Sequence, residues 1–329
     1  DVMRDYPASR YAEQSALRTA LVYEDQGAWE RAMEQYETVM RDYPHGRLFV
    51  RALHGRGLVA YRLGRFEAAL EDFEEVVRSY PDVPLAEQAF YLRGWCRYLL
   101  GDEEAALEIA NRFVARYPDS EWIGEVLFWL GEHEYNRGVY ERAETLFARL
   151  AEAHPEEDLA DEALYWAGRA AAGRSEFLQA IEYYNRLAKR YPESRKLPEA
   201  RFAQGDALSE LGRFSAAILA FEDIINRYPG TYLAGLAWGR KGDCQFTLGS
   251  EEPARYEEAL ASYRVVAEDP RTAGAPRLQA LYKMGRCREK TGQEEEAMEA
   301  YMDVVYRYLA SGGEGMAGGV VWFTRAAFS

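Results

Sequence analysis

A proline returns along this chain at one fixed interval. Pro7, Pro44, Pro81, Pro118, Pro155, Pro192 and Pro229 stand 37 residues apart, each preceded by a tyrosine except at His154. Proline has no amide hydrogen to donate to the preceding turn, and it pushes the residue before it out of the helical region. A stop signal at constant spacing means one supersecondary unit repeated, and such units stack into one continuous body. That overrides the two or three globular domains that 329 residues would otherwise suggest.

One period shows what is repeated. From Phe49 to Leu63 apolar residues recur at helical spacing, at Phe49, Ala52, Leu53, Val59 and Ala60. Gly64 interrupts. Phe66, Ala69, Leu70, Phe73, Val76 and Val77 form a second helical stripe, and Pro81 ends it. The unit is therefore helix A, a glycine turn, helix B and a proline stop.

The other periods keep this register. Gly57, Gly94, Gly131, Gly168, Gly205 and Gly242 mark helix A, and Gly27, Gly64, Gly101, Gly138, Gly212 and Gly249 mark the turn, with Ser175 in the one gap. Ala32, Ala69, Ala106, Ala143, Ala180 and Ala217 recur in helix B. A ring follows four residues later at Tyr36, Phe73, Phe147, Tyr184 and Phe221, with Ala110 the exception. Glycine inside a helix costs about 1 kcal/mol against alanine, so its recurrence implies close approach of helix B.

After Pro229 the spacing loosens. Ser250 to Ala254 are inserted in a turn, Asp269-Pro270 closes that unit, and an eighth carries Gly285, Gly292, Ala297 and Tyr301. The expected organisation is a solenoid of about eight hairpins over 1–308, a glycine-rich linker over 309–319 and the start of a further helix A over 320–329. "DVMRDYP" at the start matches "TVMRDYP" at Thr38 to Pro44. Both ends thus fall inside a repeat, and the sequence reads as a segment of a longer array.

The spacing from Gly57 to Ala69, Phe73 and Pro81 resembles the tetratricopeptide repeat: small, small, aromatic, proline. The period is 37 residues where about 34 is usual. The resemblance implies an all-α, right-handed alpha-solenoid of stacked antiparallel helix pairs. The phrase Tyr-Pro-x-Ser, at Pro7 to Ser9, Pro118 to Ser120 and Pro192 to Ser194, is similar to the bacterial envelope branch of that family, the BamD and Tol–Pal-associated CpoB type. That resemblance implies a lipoprotein or other protein of the periplasm or outer membrane, with the cytoplasm as the alternative. The serines also have a local role, as helix A caps.

In this family helix A lines the concave surface. Counting from the helix A glycine, the implied partner-binding positions are Tyr91, Leu92, Trp95 and Tyr98, then Phe128, Trp129, Glu132 and Tyr135. Tyr165, Trp166 and Arg169 follow, then Phe202 and Asp206, and finally Tyr282, Lys283 and Arg286. Aromatic residues and arginine dominate interface hot spots. The competing reading is that these rings fill the seam between hairpins.

Catalytic chemistry finds little support. Gly313, Gly315 and Gly318 spell G-x-G-x-x-G, but a helical stretch precedes them where a dinucleotide site needs a strand. His133-Glu134 lacks the second histidine of a zinc helix. Cys96, Cys244 and Cys287 each follow a helix A glycine by two residues, a slot that Val59, His133, Ala170 and Ala207 fill elsewhere, and its sharing by Val, Ala and Cys reads as a packing slot. No metal or cofactor is implied. A net charge of −15 argues against binding duplex nucleic acid. Acidic runs such as Glu294 to Glu296 fit helix starts and a solvated outer face.

The chain thus reads as a non-catalytic scaffold that binds other proteins or peptide segments, within a bacterial envelope or secretion assembly. The alternative is the helical accessory region of a larger enzyme, such as a peptidoglycan-cleaving protein.

Overall fold

The computed structural model describes residues 10–311 and 318–329, and among them the chain is all-α, with seventeen helices and no strand. The helices pair into hairpins: α1 (Arg10–Asp25) with α2 (Trp29–Asp42), α3 (Phe49–Arg62) with α4 (Phe66–Ser79), and α5 (Leu85–Leu99) with α6 (Glu103–Arg116). Then come α7 (Ile123–Asn136) and α8 (Tyr140–Ala153), α9 (Ala160–Gly173) and α10 (Phe177–Arg190), and α11 (Leu197–Glu210) and α12 (Phe214–Arg227). The last are α13 (Tyr232–Leu248) with α14 (Ala254–Glu268), α15 (Ala275–Lys290) with α16 (Glu294–Ala310), and a lone α17 (Gly319–Ala327). Odd-numbered helices are helix A and even-numbered ones helix B.

Each punctuation mark acts where the sequence places it. Tyr43, Tyr80, Tyr117, His154, Tyr191 and Tyr228 cap the even helices outside helical geometry, and the following proline starts the link. The turn glycines at 27, 64, 101, 138, 212 and 292 have φ between +69° and +81°, and Ser175 takes the same left-handed conformation at +63°. Glycine is suited to that region because it has no Cβ to clash. Gly249 differs: with five residues inserted after it, α13 runs on to Leu248 and the turn moves. Among the described residues, serine caps of helix A are not seen. Ser120 and Ser194 accept instead from the amides of Trp122 and Lys196, closing the turn before the helix. Ser9 lies outside the described residues.

The chain divides into two compact units, Asp1–Leu130 and Gly131–Ser329, with the boundary inside α7. In the first, one core joins the first two hairpins around Ala32, Tyr36 and Val39, and another joins the second and third around Ala69, Phe73 and Cys96. In the second, Ala217, Phe221 and Cys244 centre one core, and Ala259, Tyr263, Tyr301 and Val304 centre another that takes in Ala326 of α17. Within both units the substantial contacts that skip a helix join odd-numbered helices: α3 to α5, α9 to α11, α11 to α13 and α15 to α17. Helix A neighbours crowd together while helix B neighbours splay, so each unit is a tetratricopeptide-like solenoid with helix A on its inner curve.

Helix α16 runs to Ala310, so Leu309 is helical, and Gly319 already belongs to α17. Of the expected linker, residues 312–317, including Gly313 and Gly315, lie outside the described residues.

Candidate functional site

The densest set of rings on the inner face lies in the first unit. Tyr91, Trp95 and Tyr98 are four and three residues apart on α5 and so share one side of it. Trp95 meets Tyr91 at 6.1 Å, Tyr98 at 5.8 Å and Trp129 of α7 at 5.7 Å between ring centroids. Tyr98 meets Trp129 edge-on at 5.5 Å, and Tyr91 stacks on Trp122 at 5.5 Å. Five rings thus form one patch, held by offset and edge-to-face contacts that aromatic quadrupoles favour. The Tyr91 hydroxyl donates to Glu125, and burial, reinforced by that carboxylate, pushes its pKa upward. The patch is open to solvent: Tyr98 is 43 % exposed, and Tyr91, Trp95, Trp122 and Trp129 are half-buried. The indole Nε1 of Trp95 is shielded and has no hydrogen-bond partner among the described residues.

This patch sits on the hairpin in which Ala110 stands at the helix B position that carries a ring in the neighbouring hairpins. Elsewhere a Cβ on the helix A glycine would strike that ring: Gly57 on Phe73, Gly131 on Phe147, Gly168 on Tyr184 and Gly205 on Phe221, all below 3 Å. At Gly94 the nearest atom would be the Ile109 methyl at 3.2 Å, because Ala110 stands where the ring would be. The helix A rings close over the deficit, leaving an apolar cavity of about 20 Å³ bordered by Gly94, Trp95, Ile109, Ala110, Phe113 and Trp129.

The second unit has its own group. Tyr135 meets Trp166 at 5.0 Å, and Trp166 meets Tyr165 at 5.5 Å. Arg169 lies 5.8 Å from both the Tyr165 and Trp166 ring centres and donates to the Tyr165 hydroxyl at 3.0 Å. Lys196 pairs with Glu162 at 2.7 Å and lies over Tyr165. Burial and the nearby Glu162 push the carboxyl of Glu132 above its ordinary pKa. Farther along, Asp206 pairs with Arg240 at 3.2 Å, Lys283 with Asp243 at 2.5 Å, and Arg286 with Glu289 at 2.9 Å.

Several of the residues implied by counting from the glycine are core. Phe128, Tyr165, Tyr282 and Leu92 are all buried. Phe202, half-buried, packs on Phe221 at 5.6 Å, and Tyr282 on Tyr301 at the same distance. The position three residues before the glycine faces the hairpin's own helix B ring. His54 occupies it in the second hairpin, 5.8 Å from Phe73, where burial drives its pKa down to about 4. Sequence reasoning named Tyr91, Phe128, Tyr165, Phe202 and Tyr282 of this row as partner-binding positions, with seam filling as the competing reading, and missed His54 and Gly239 in it, along with Trp122 and Glu125. Its signal is visible once three is counted back from each glycine, through His54, Tyr91, Phe128, Tyr165, Phe202, Gly239 and Tyr282.

Other chemistry does not assemble. Cys96, Cys244 and Cys287 are buried and free, and burial raises the pKa of each, Cys96 and Cys287 to about 12. Among the described residues no three His, Cys, Asp or Glu side chains gather as metal ligands, and no helix is long and apolar enough to cross a membrane.

The sequence profile of the tetratricopeptide repeat matches residues 17–84, 54–121, 125–195 and 202–271, and a second profile of the same repeat matches 279–308. No curated protein matches the chain. Among solved structures, a tetratricopeptide repeat protein from Parabacteroides merdae is 16 % identical, covering 87 % of this chain and 98 % of that one, with a TM-score of 0.45. The C-terminal part of a repeat-containing protein from Cytophaga hutchinsonii is 14 % identical, covering 86 % and 98 %, with a TM-score of 0.46. YrrB, described as having an unusual peptide-binding site, is 20 % identical over 61 % of this chain and 95 % of its own, with a TM-score of 0.44. With repeat after repeat matched over well beyond half its length, the chain belongs to the tetratricopeptide repeat family.

Proposed function

We propose that this protein is a non-catalytic scaffold that binds a segment of another protein along its helix A surface. Repeats of this family mediate protein–protein interactions. The observation that supports the site is the open ring patch of Tyr91, Trp95, Tyr98, Trp122 and Trp129. Rigid aromatic side chains lose little freedom on binding and dominate hot spots. A segment laid across them is held by a scaffold in which each hairpin touches only its neighbours. Within the second unit, the Tyr135, Trp166 and Arg169 group is a separate candidate anchor.

The proposed setting is a bacterial envelope or secretion assembly, resting on the Tyr-Pro-x-Ser phrase. Fractionation of the native cell tests it, since recovery in the soluble cytoplasmic fraction alone would rule it out. The binding role is tested by co-precipitating the native partner with the parent and with a Tyr98→Ala, Trp129→Ala variant. Equal recovery by a folded variant would remove the patch from the interface.

A further inference from the structure

Gly235 and Gly239 lie one turn apart on α13, and packing requires neither. A Cβ at either would meet nothing within 4 Å, whereas one at Gly242 on the same helix would come 2.6 Å from the Tyr263 ring. Glycine inside a helix is unfavourable for the backbone entropy it surrenders. Gly242 has a reason to be there, and its two neighbours leave space unused by the fold.

The repeat shows what that space lacks. Gly239 stands three residues before the helix A glycine, where His54, Tyr165, Phe202 and Tyr282 each lay a ring against a helix B ring at 5.6–6.4 Å. Without it, a recess of about 300 Å³ opens, bordered by Phe202, Tyr263, Val266 and Pro276. A second recess of about 410 Å³ shares Asp243, Tyr263 and Lys283 with it and adds Trp322, Arg286 and Arg325. Carboxylates answer most of the positive charge: Asp243 pairs with Lys283, Asp206 with Arg240 and Glu289 with Arg286. Arg325 is exposed, lies 5.1 Å over the Trp322 ring, and has no ion-pair partner among the described residues. In a chain of net charge −15, the charge left over here is positive.

We propose that the recess at Gly239 receives one aromatic side chain of a bound segment, flanked by acidic residues, which supplies the ring this hairpin lacks. The inference rests on the reading of the helix A surface as protein-binding and names what one part of that surface selects. The incoming ring packs between Phe202 and Tyr263, and its acidic neighbours meet Arg325.

The test uses the whole chain and a fluorescein-labelled peptide, Gly-Ser-Asp-Glu-Trp-Glu-Asp-Ser-Gly, read by polarisation at low salt. Two further peptides carry Ala in place of Trp, or Lys in place of every acidic residue. The Trp peptide is expected to bind about tenfold or more tightly than either. Gly239→Phe builds the missing ring into the helix where a Cβ has free space. It should melt at or above the parent temperature and lose about tenfold or more of its affinity for the Trp peptide, with Gly239→Ala between the two. Arg325→Glu, at an exposed position, should weaken the Trp peptide and not the Lys peptide. No binding of the Trp peptide to the parent, equal binding of the Trp and Ala peptides, or full affinity in a folded Gly239→Phe overturns the proposal. If Gly239→Phe does not fold, undiminished binding by Arg325→Glu overturns it instead. The wider protein-binding role is read separately, from the native partner and the Tyr98 and Trp129 variant, so the two failures stay distinct.

Discussion

Gly168 lies so close under the ring of Tyr184 that a Cβ there would come within 2.4 Å of Cε1. Tyr184 is almost wholly buried and its ring has nowhere to retreat. Gly168→Ala should therefore destabilise the protein by about 1–3 kcal/mol through overpacking, even though alanine gains about 1 kcal/mol of helix propensity. Gly235→Ala makes the same substitution where a Cβ meets nothing, and should stabilise by up to about 1 kcal/mol. Thermal melts of both variants should move in opposite directions. If they move the same way, the pairing of glycine and ring is not what sets the helix spacing.

Ser175 holds the turn between α9 and α10 at φ +63°, where every hairpin from the second to the sixth but this one uses glycine. A left-handed conformation costs an L-residue about 1–2 kcal/mol. Ser175→Gly should raise stability by about 1 kcal/mol, measured by urea titration. A loss would mean the serine side chain supports the turn.

His54 tests burial by pH. An unfolded histidine titrates near 6.5, and burial lowers the folded value to about 4. The neutral ring is the form the fold prefers, so its contribution is complete above pH 6.5 and is lost as pH falls toward 4. That loss amounts to about 3 kcal/mol across the window, at roughly 1.4 kcal/mol per unit. His54→Phe puts into the slot the ring that Phe128 and Phe202 place there in other hairpins. Melting temperatures from pH 7 to pH 4 should fall less in the variant than in the parent. Parallel curves would show that His54 is not held neutral.

The hairpins, their turns and their glycine–ring seams were legible because each depends on short-range chemistry repeated in register. Pro81 must end α4, and Gly64 must turn the chain before it. The candidate site was legible only to within one turn of helix. Counting from Gly168 placed Tyr165, Trp166 and Arg169 on the same helix, but helical rotation turns Trp166 about 100° away from Tyr165. Tyr165 faces its own helix B and is buried, while Trp166 and Arg169 remain partly open. Ala110 was visible in the sequence as an interruption and Gly239 was missed, and what each gap becomes depends on neighbouring side chains. Trp95 and Phe113 close around the first, and no described residue fills the second. The shift of Ser120 and Ser194 from helix cap to turn depends on link geometry that spacing does not encode.

Buried and open rings should separate under alanine substitution. Tyr165→Ala empties a core position and should cost about 3–5 kcal/mol. Tyr98→Ala removes a ring that is 43 % exposed, so its melting temperature should stay near that of the parent while partner binding weakens by about 2 kcal/mol. Calorimetric unfolding and partner titration on the same samples check both halves. A Tyr98→Ala protein that unfolds early and binds normally would reassign that ring to the seam.

A partner on the helix A face of the third hairpin would cover Tyr98 and leave the helix B side open. A photo-reactive benzoylphenylalanine placed at Tyr98 on α5, or at exposed Arg112 on the α6 side of the same hairpin, reads which face is covered. Illumination in native extract, followed by mass spectrometry of the adducts, should give a discrete partner adduct from position 98 and none from position 112. An adduct from 112 with none from 98 would place the partner on helix B and remove the helix A face from the interface.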